Sequence, residues 1–436
     1  MKILMLSSTF PYPPTRGGTQ VRTFNLLKYL RQHHSITLFT QRAPDVSDDE
    51  VEELRQQVEE LAVFPRPASP VGNGGAWSKL QRYGSFALEG TPPSVLSIYS
   101  PEAQRWIDHA VATKQYDVIT AEHSVNEIYV RPQWHRQGST NGRSPLRTVV
   151  NIHSSVYGTC KHQLETRTSD NRWRDRLNLP LLYRYERRYC AKFSNVVVTT
   201  AEDQEQIQAF NPAATIAVIP NGVDFSQFPC RKVDPGGYRL VFIGAMDNAP
   251  NIDAVRFFGL EVFPSIQKRY PKATLDLVGA RPGPDVLELG NRPGITVTGR
   301  VPSMAEYLHQ ATVCVVPMRT GFGIKNKTLE AMAAGAPVVG SDRGLEGLAV
   351  DGRGVPLRAL RANQPEDYIG AISRLFEHPD LRIQLSRAGR QLVEQEFTWE
   401  RAGQQYEAIL TEGRVRAQGM RSTIKKSVPD ADESGG

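Results

Sequence analysis

Long hydrophobic runs are missing from this 436-residue chain. No apolar stretch approaches the roughly 20 residues that a membrane-spanning helix requires, so such a helix has no candidate segment. Cysteine is scarce too: Cys160, Cys190, Cys230 and Cys314 stand far apart without a C-x-x-C pair, a pattern of neither a zinc site nor a disulfide framework. Reduced thiols in a cytoplasmic protein are therefore expected. A secretory leader finds no support at the start, where Pro11, Pro13 and Pro14 occupy the place of a small-residue cleavage site. "MKILML" reads instead as a first strand. No dinucleotide fingerprint, Walker lysine or Ser-His-Asp spacing is found, which leaves nucleotide-cofactor redox chemistry, P-loop hydrolysis and triad chemistry without a motif.

What is present is the composition of a globular protein, 40% hydrophobic and 22% charged, long enough for two cores. Short runs rich in Val, Ile and Leu alternate with helical patterns: "KILML", "SITLFT", "DVIT", "RTVVNIH", "NVVVTT" and "AVIP", then "RLVFIG", "ATLDLVG", "ITVTG", "TVCVVP" and "PVVGS". Strands apolar throughout and separated by helices imply parallel sheets covered on both faces. The two groups flank a polar stretch rich in Pro and Gly. The resulting expectation is an α/β protein of two Rossmann-like, doubly wound domains facing across a cleft: residues 1–222, a linker at 223–238, a second domain at 239–385, helices at 386–415 packing back across the interface, and a disordered tail at 416–436. A further stretch at 66–79, "RPASPVGNGGAWSK", reads as a mobile loop.

The net charge of +6 is concentrated in one place. Residues 161–192 hold nine Lys/Arg against four Asp/Glu, interleaved with Trp173, Tyr183, Tyr185 and Tyr189. Two accounts fit: a solvated helical face, or a surface that rests on anionic lipid with its rings at headgroup level. Nucleic acid could use the same residues, but no recognised module accompanies them.

Chemistry concentrates in "GFGIKNKTLEAMAAGAPVVGS" at 321–341. A strand, a glycine turn and a helix follow one another, so unpaired N–H groups and the positive end of the helix dipole would face a ligand. Lys325 and Lys327 add charge there, and Glu330 lies one turn on. The alternative is that Glu330 simply pairs with Lys327 three residues earlier. In the first half, Gly17 and Gly18 of "TRGGTQ" link a strand to a helix. His153 ends "RTVVNIH" at the carboxyl edge of the first sheet, and His123 occupies a similar edge one strand away.

The run "VTGRVPSMAEYLHQATVCVVPMRTGFGIKNKTLEAMAAGAPVVGSDRGLEGL" resembles the donor-binding region of the family 4 glycosyltransferases, retaining enzymes of the GT-B fold. "TFPYPPTRGGTQVRTFNLLKYL", "VIPNGVD" and "FIGAMDNAPNIDAVRFF" match in the same order, so the likeness spans nearly the whole chain. It implies transfer of a sugar from a UDP- or GDP-linked donor to a carbohydrate or lipid-linked acceptor hydroxyl, in polysaccharide or glycolipid synthesis. No metal or other cofactor is implied. Glu330 corresponds to the second acid of the family's E-x7-E signature, which contacts the donor ribose; Phe322 stands where the first acid belongs. Lys327 matches a lysine kept by a subgroup lacking that acid. An arginine and a lysine usually placed for the diphosphate are missing from "GAMDNAPN", leaving Arg319, Lys325 and Lys327 as substitutes. The resemblance lines the donor with Gly244, Arg300, Val301, Arg319, Gly321, Phe322, Gly323, Ile324, Leu329 and Glu330. It sets Gly17 and Gly18 beside the phosphate or acceptor, and gives His153, Lys325, Lys327 and Glu330 the catalytic roles. A nucleotide-sugar epimerase of the same architecture and a non-catalytic sugar-binding protein are the rivals. The enzyme itself would sit in the cytoplasm or peripherally on the inner face of the plasma membrane.

Overall fold

The computed structural model describes residues 1–14, 17–67, 86, 90–134, 146–153, 155–166, 169, 171–321 and 323–412. Phe322, most of the 66–79 stretch and the 416–436 tail lie outside these residues. Two parallel sheets organise the chain. The first has seven strands, β1 (Lys2–Ser7), β2 (Ser35–Arg42), β3 (Glu60–Pro65), β4 (Val118–Glu122), β5 (Arg147–Asn151), β6 (Asn195–Val198) and β7 (Ile216–Val218), in the order β3-β2-β1-β4-β5-β6-β7. The second has six: β8 (Arg239–Ile243), β9 (Thr274–Val278), β10 (Ile295–Gly299), β11 (Val313–Val316), β12 (Val338–Gly340) and β13 (Leu360–Arg361), in the order β10-β9-β8-β11-β12-β13. The expected two doubly wound domains are thus present. Each sheet reverses its winding beside its first strand, between β1 and β4 or between β8 and β11, where loops at the carboxyl ends splay apart and ligands collect.

Strand β1 shows why these runs are strands. Ile3 and Met5 enter one core layer while Leu4 and Leu6 enter the other, and all four are fully buried. A two-residue period buried on both sides suits a central parallel strand and no helix. Two elements escaped the sequence patterns. Strand β3 is an edge with only Leu61 buried, and β13 is two residues long.

The crossing between domains differs from the expected boundaries. Helix α7 (Pro379–Glu396) contributes Leu385, Leu392 and Val393 to the second core, so the boundary expected at 386 falls inside a helix that stays with its own domain. Among the described residues beyond 386, α8 (Trp399–Glu412) is what returns to the first domain, where Trp399, Ala402, Tyr406, Ile409 and Leu410 pack with the core beneath α1 (Gly18–Leu30). The 223–238 linker is likewise not free. Val223 belongs to the second core with Phe225 and Phe228 packed against it, while Asp234 receives Arg382 at 2.7 Å. The two passages run side by side: Val223 N–H donates to Phe397 O at 3.0 Å, and Val223 bridges Thr398. Any hinge therefore narrows to Asn221–Gly222 and Thr398. Glycine is required at 222, because a Cβ would stand 2.4 Å from the Trp399 nitrogen.

The return of α8 depends on another close approach. At Gly403 a Cβ would lie 2.2 Å from Cγ of Tyr29, at the base of the ring rather than its far end. Gly403→Ala should therefore force α8 off α1 and lower the unfolding free energy by ~1–3 kcal/mol, the usual range for overpacking. Chemical denaturation of both proteins checks this; a variant of parental stability would show that the helices separate freely.

Candidate active site

The carboxyl ends of β8 and β11 meet at helix α6 (Asn326–Ala333). Gly321 and Gly323, at φ 88° and 82°, turn the chain out of β11 in a conformation that side chains rarely adopt. The helix then buries Thr328, Leu329, Ala331, Met332 and Ala333, where small residues allow close packing on the sheet. Gly335, at φ 77°, follows its end as a left-handed cap. Lys327 and Glu330, three residues apart, lie on neighbouring positions of one face.

Lys327 is buried, with its ammonium 4.2 Å from the centre of the Phe242 ring and 3.7 Å from Sδ of Met318, and it donates to Oδ1 of Asn251. Asn251 is fixed in turn by donating from Nδ2 to Ala245 O at 2.7 Å. A Cβ at Gly244 would stand 3.0 Å from Lys327 Nζ, so glycine there admits the lysine to the end of β8. Burial lowers the Lys327 pKa to about 7, opposed by Glu330. Glu330 is only partly exposed, and desolvation raises its carboxyl to about 7 against the lowering field of Lys327. The simple ion pair between the two is not formed. Glu330 has no hydrogen-bond or ion-pair partner among the described residues, leaving an acceptor beside a held cation.

Other expected donor residues fall into different surroundings. Arg319 is engaged by both oxygens of Asp253 and stacks 4.9 Å from the Phe257 ring, so its guanidinium is already held on the domain surface. Lys325 diverges from Lys327: its amine reaches Gly323 O and Glu346 Oε2, the latter at 3.3 Å. Glu346 also receives Arg343 at 2.8 Å. The two lysines thus do not form one cationic pair. Ile324 and Leu329 are core residues whose side chains face away from solvent. Val301 packs against that core, Arg300 is exposed beyond β10, and Gly321 borders Pro250, 3.6 Å from the position of a Cβ.

From the first domain, His153 follows β5 as expected and packs edge-on to His123 with ring centres 5.1 Å apart. Its buried Nε2 has no hydrogen-bond partner. Desolvation, then His123 and Arg22, hold its pKa well below the usual value, so the ring is neutral near pH 7. His123 is pushed to about 4 by burial. The domains touch here: a Cβ on Gly323 would lie 2.8 Å from His153 O and 2.9 Å from Thr199 Oγ1. At Gly18 the nearest atom is Nδ2 of Asn326, 3.8 Å from where a Cβ would be, while Gly17 precedes α1 in extended backbone.

The sequence patterns missed the polar network behind this contact. Arg22 is 1% exposed and donates to Asn151 Oδ1 at 3.0 Å and Asn221 Oδ1 at 2.7 Å. Asn151 donates to Glu122 Oε2 at 2.8 Å, and Tyr406 of α8 donates to Glu122 Oε1 at 2.7 Å. Asn221 then donates to Asn326 Oδ1 at 2.8 Å. One signal was available: Arg22 precedes Leu26 and Leu30 at four-residue spacing, an arginine on the apolar stripe of α1.

Two family models match the chain in succession: "Glycosyltransferase Family 4" over residues 16–227 and "Glycosyl transferases group 1" over 237–378. A Mycobacterium tuberculosis protein, GDP-mannose-dependent alpha-(1-6)-phosphatidylinositol monomannoside mannosyltransferase, is 29% identical over 229 residues, covering 44% of this chain and 54% of its own length. The chain thus spans about half the length of that curated relative. Among solved structures, sucrose-phosphate synthase of Thermosynechococcus elongatus superposes with a TM-score of 0.67 at 19% identity, over 94% of this chain and 99% of its own. HepE of Anabaena, in complex with UDP, gives 0.61 at 16% identity over 94% and 100%. Two successive glycosyltransferase models thus match the two facing Rossmann-like domains, and the fold is that of the GT-B glycosyltransferases.

Proposed function

We propose that the protein transfers a hexose from a UDP- or GDP-linked donor to an acceptor hydroxyl with retained anomeric configuration. The observation that carries this is the pairing on α6 of a buried ammonium, held at the end of β8 by Gly244 and Asn251, with a carboxylate lacking a partner. Lys327 supplies charge for a diphosphate, and Glu330 accepts hydrogen bonds from ribose hydroxyls. His153, neutral and with Nε2 unpaired, faces the sugar from the first domain and positions it for attack. Lys327 and the first turn of α6 stabilise the charge that develops on the departing diphosphate. The residues themselves leave the base open, and the relatives' printed names point to GDP-mannose in one case and UDP in another. A glycolipid acceptor is favoured by the mycobacterial relative's name.

The experiment is calorimetric titration with UDP and GDP, followed by anomeric analysis of the product by NMR. Glu330→Ala should weaken binding of the preferred nucleotide diphosphate by ~1.5–3 kcal/mol, as expected for a hydrogen bond to a charged group. Unchanged affinity in a folded variant would remove the ribose role. His153→Ala should keep nucleotide affinity and lose most transfer. The pH dependence has a definite sign. Ribose donors favour the ionised Glu330, so affinity falls as pH drops below about 7. The diphosphate favours protonated Lys327, so affinity also falls as pH rises above about 7. A maximum near neutrality is expected, with Glu330→Gln losing the acid limb and Lys327→Met the alkaline one.

We also propose that helix α3 (Arg172–Cys190) rests on an anionic membrane, in a narrower form than the segment's composition suggested. Tyr185 and Tyr189 are buried, and Lys192 is paired with Glu127, which removes them from any lipid contact. Trp173 and Leu177, 76% and 66% exposed and one turn apart, remain beside exposed Arg172 and Arg176. Among the described residues no helix is long and apolar enough to cross a membrane. The protein should co-sediment with anionic but not neutral vesicles, with roughly 1 kcal/mol per engaged basic residue. Trp173→Ala with Leu177→Ala should abolish this; equal sedimentation with both vesicle types would return the helix to an ordinary solvated face.

A further inference from the structure

Helix α6 is read from two sides. Lys327 reaches the end of β8, with Glu330 on the same face of the helix, whereas Lys325 and Asn326 reach the other domain or the loops beside it. Asn326 accepts from Asn221 Nδ2 at 2.8 Å, and its own Nδ2 lies beside Gly18. Lys325 bonds Glu346 and lies in the field of Asp203, a first-domain carboxylate whose buried Oδ1 has no hydrogen-bond partner.

The direction of the Asn221–Asn326 bond is decided before the domains meet. An arginine can only donate and a carboxylate can only accept. Glu122 therefore takes the Nδ2 of Asn151, which leaves Asn151 Oδ1 for Arg22 Nε. Arg22 Nη1 takes Oδ1 of Asn221, so the Nδ2 of Asn221 must point outward to α6. Glu122 is further anchored by Tyr406 on α8, the helix that follows the second passage between the domains. Asn221 itself immediately precedes Gly222, where the chain crosses. A prepared donor thus stands at the hinge, built entirely from the first domain and its returning helix.

We propose that Asn326 is a positioning residue: docked on the Arg22-oriented amide of Asn221, it sets the closed angle at which a donor held by Lys327 and Glu330 meets the first domain. Gly323 serves as the stop, because its hydrogen alone fits against His153 O and Thr199 Oγ1. The clasp rests on the donor site proposed above, but its failure is separable from the failure of that site.

The test uses the full chain with Asn326→Ala, Asn221→Ala, the double variant and Gly323→Ala. Circular dichroism and thermal melting confirm that each is folded. Three quantities are read: the radius of gyration by small-angle scattering without ligand, calorimetric affinity for the bare nucleotide diphosphate, and kcat for transfer. The two single variants should be less compact than the parent and keep nucleotide affinity. The kcat of Asn326→Ala should fall roughly 3- to 10-fold, the size of one lost hydrogen bond, and that of Asn221→Ala by at least as much, because Arg22 also loses an acceptor. The double variant should be no worse than Asn221→Ala alone, since Asn221→Ala already removes the bond that Asn326→Ala removes. Gly323→Ala should be less compact for a steric reason. Parental compactness in Asn326→Ala, additive losses in the double variant, or nucleotide affinity falling in step with kcat would overturn the clasp. A parent that binds neither nucleotide diphosphate would overturn the donor site, while the ligand-free scattering comparison would still decide whether Asn326 holds the domains together.

Discussion

A single buried guanidinium imposes order on much of this molecule. Arg22 is 1% exposed, and an arginine deprived of water must find acceptors or remain at a large desolvation cost. Its acceptors come from β5 and from the passage between domains, and Glu122 of β4 stands behind them. Burial pulls the Arg22 pKa down to about 10, opposed by Glu122 and Tyr406, so the group stays charged at neutral pH. The strand ends, the hinge and the returning helix are thereby tied to one another through directional bonds rather than through apolar packing alone.

The two faces of the cleft divide the chemistry. The second domain presents a cation and an acceptor whose charges are both made costly by burial, so each is poised to gain from a ligand of the opposite character. The first domain presents a neutral histidine with an unpaired nitrogen. Neither face carries a complete reacting set. This is why the glycines at 244 and 323, each pressed against an atom of another element, matter more than their small size suggests. They permit backbone approaches that any side chain would hold open.

The basic segment shows how composition overstates a surface. Residues 161–192 read as interleaved aromatics and arginines, yet the helix period turns Tyr185 and Tyr189 inward and leaves Trp173 as the exposed ring. Net charge survives folding as a local property; which side chains share a face does not.

Much of the architecture could be read from the residues in order. Apolar runs such as "KILML" and "TVCVVP", separated by helical periods, specify two parallel sheets because burial on both faces leaves no alternative. The glycines at 321 and 323 and the helix bearing Lys327 and Glu330 were likewise legible, since glycine spacing and isolated charges are local signals. The separation of Lys325 from Lys327, the capture of Arg319 by Asp253 and the crossing at Thr398 rather than 386 were not. Nor was the chain from Tyr406 to Asn326, whose members are scattered from position 22 to position 406. Local pattern determines which elements form and which face they bury. The partners of a buried polar group depend on distances between residues hundreds of positions apart, and only the tertiary structure brings those within hydrogen-bonding reach.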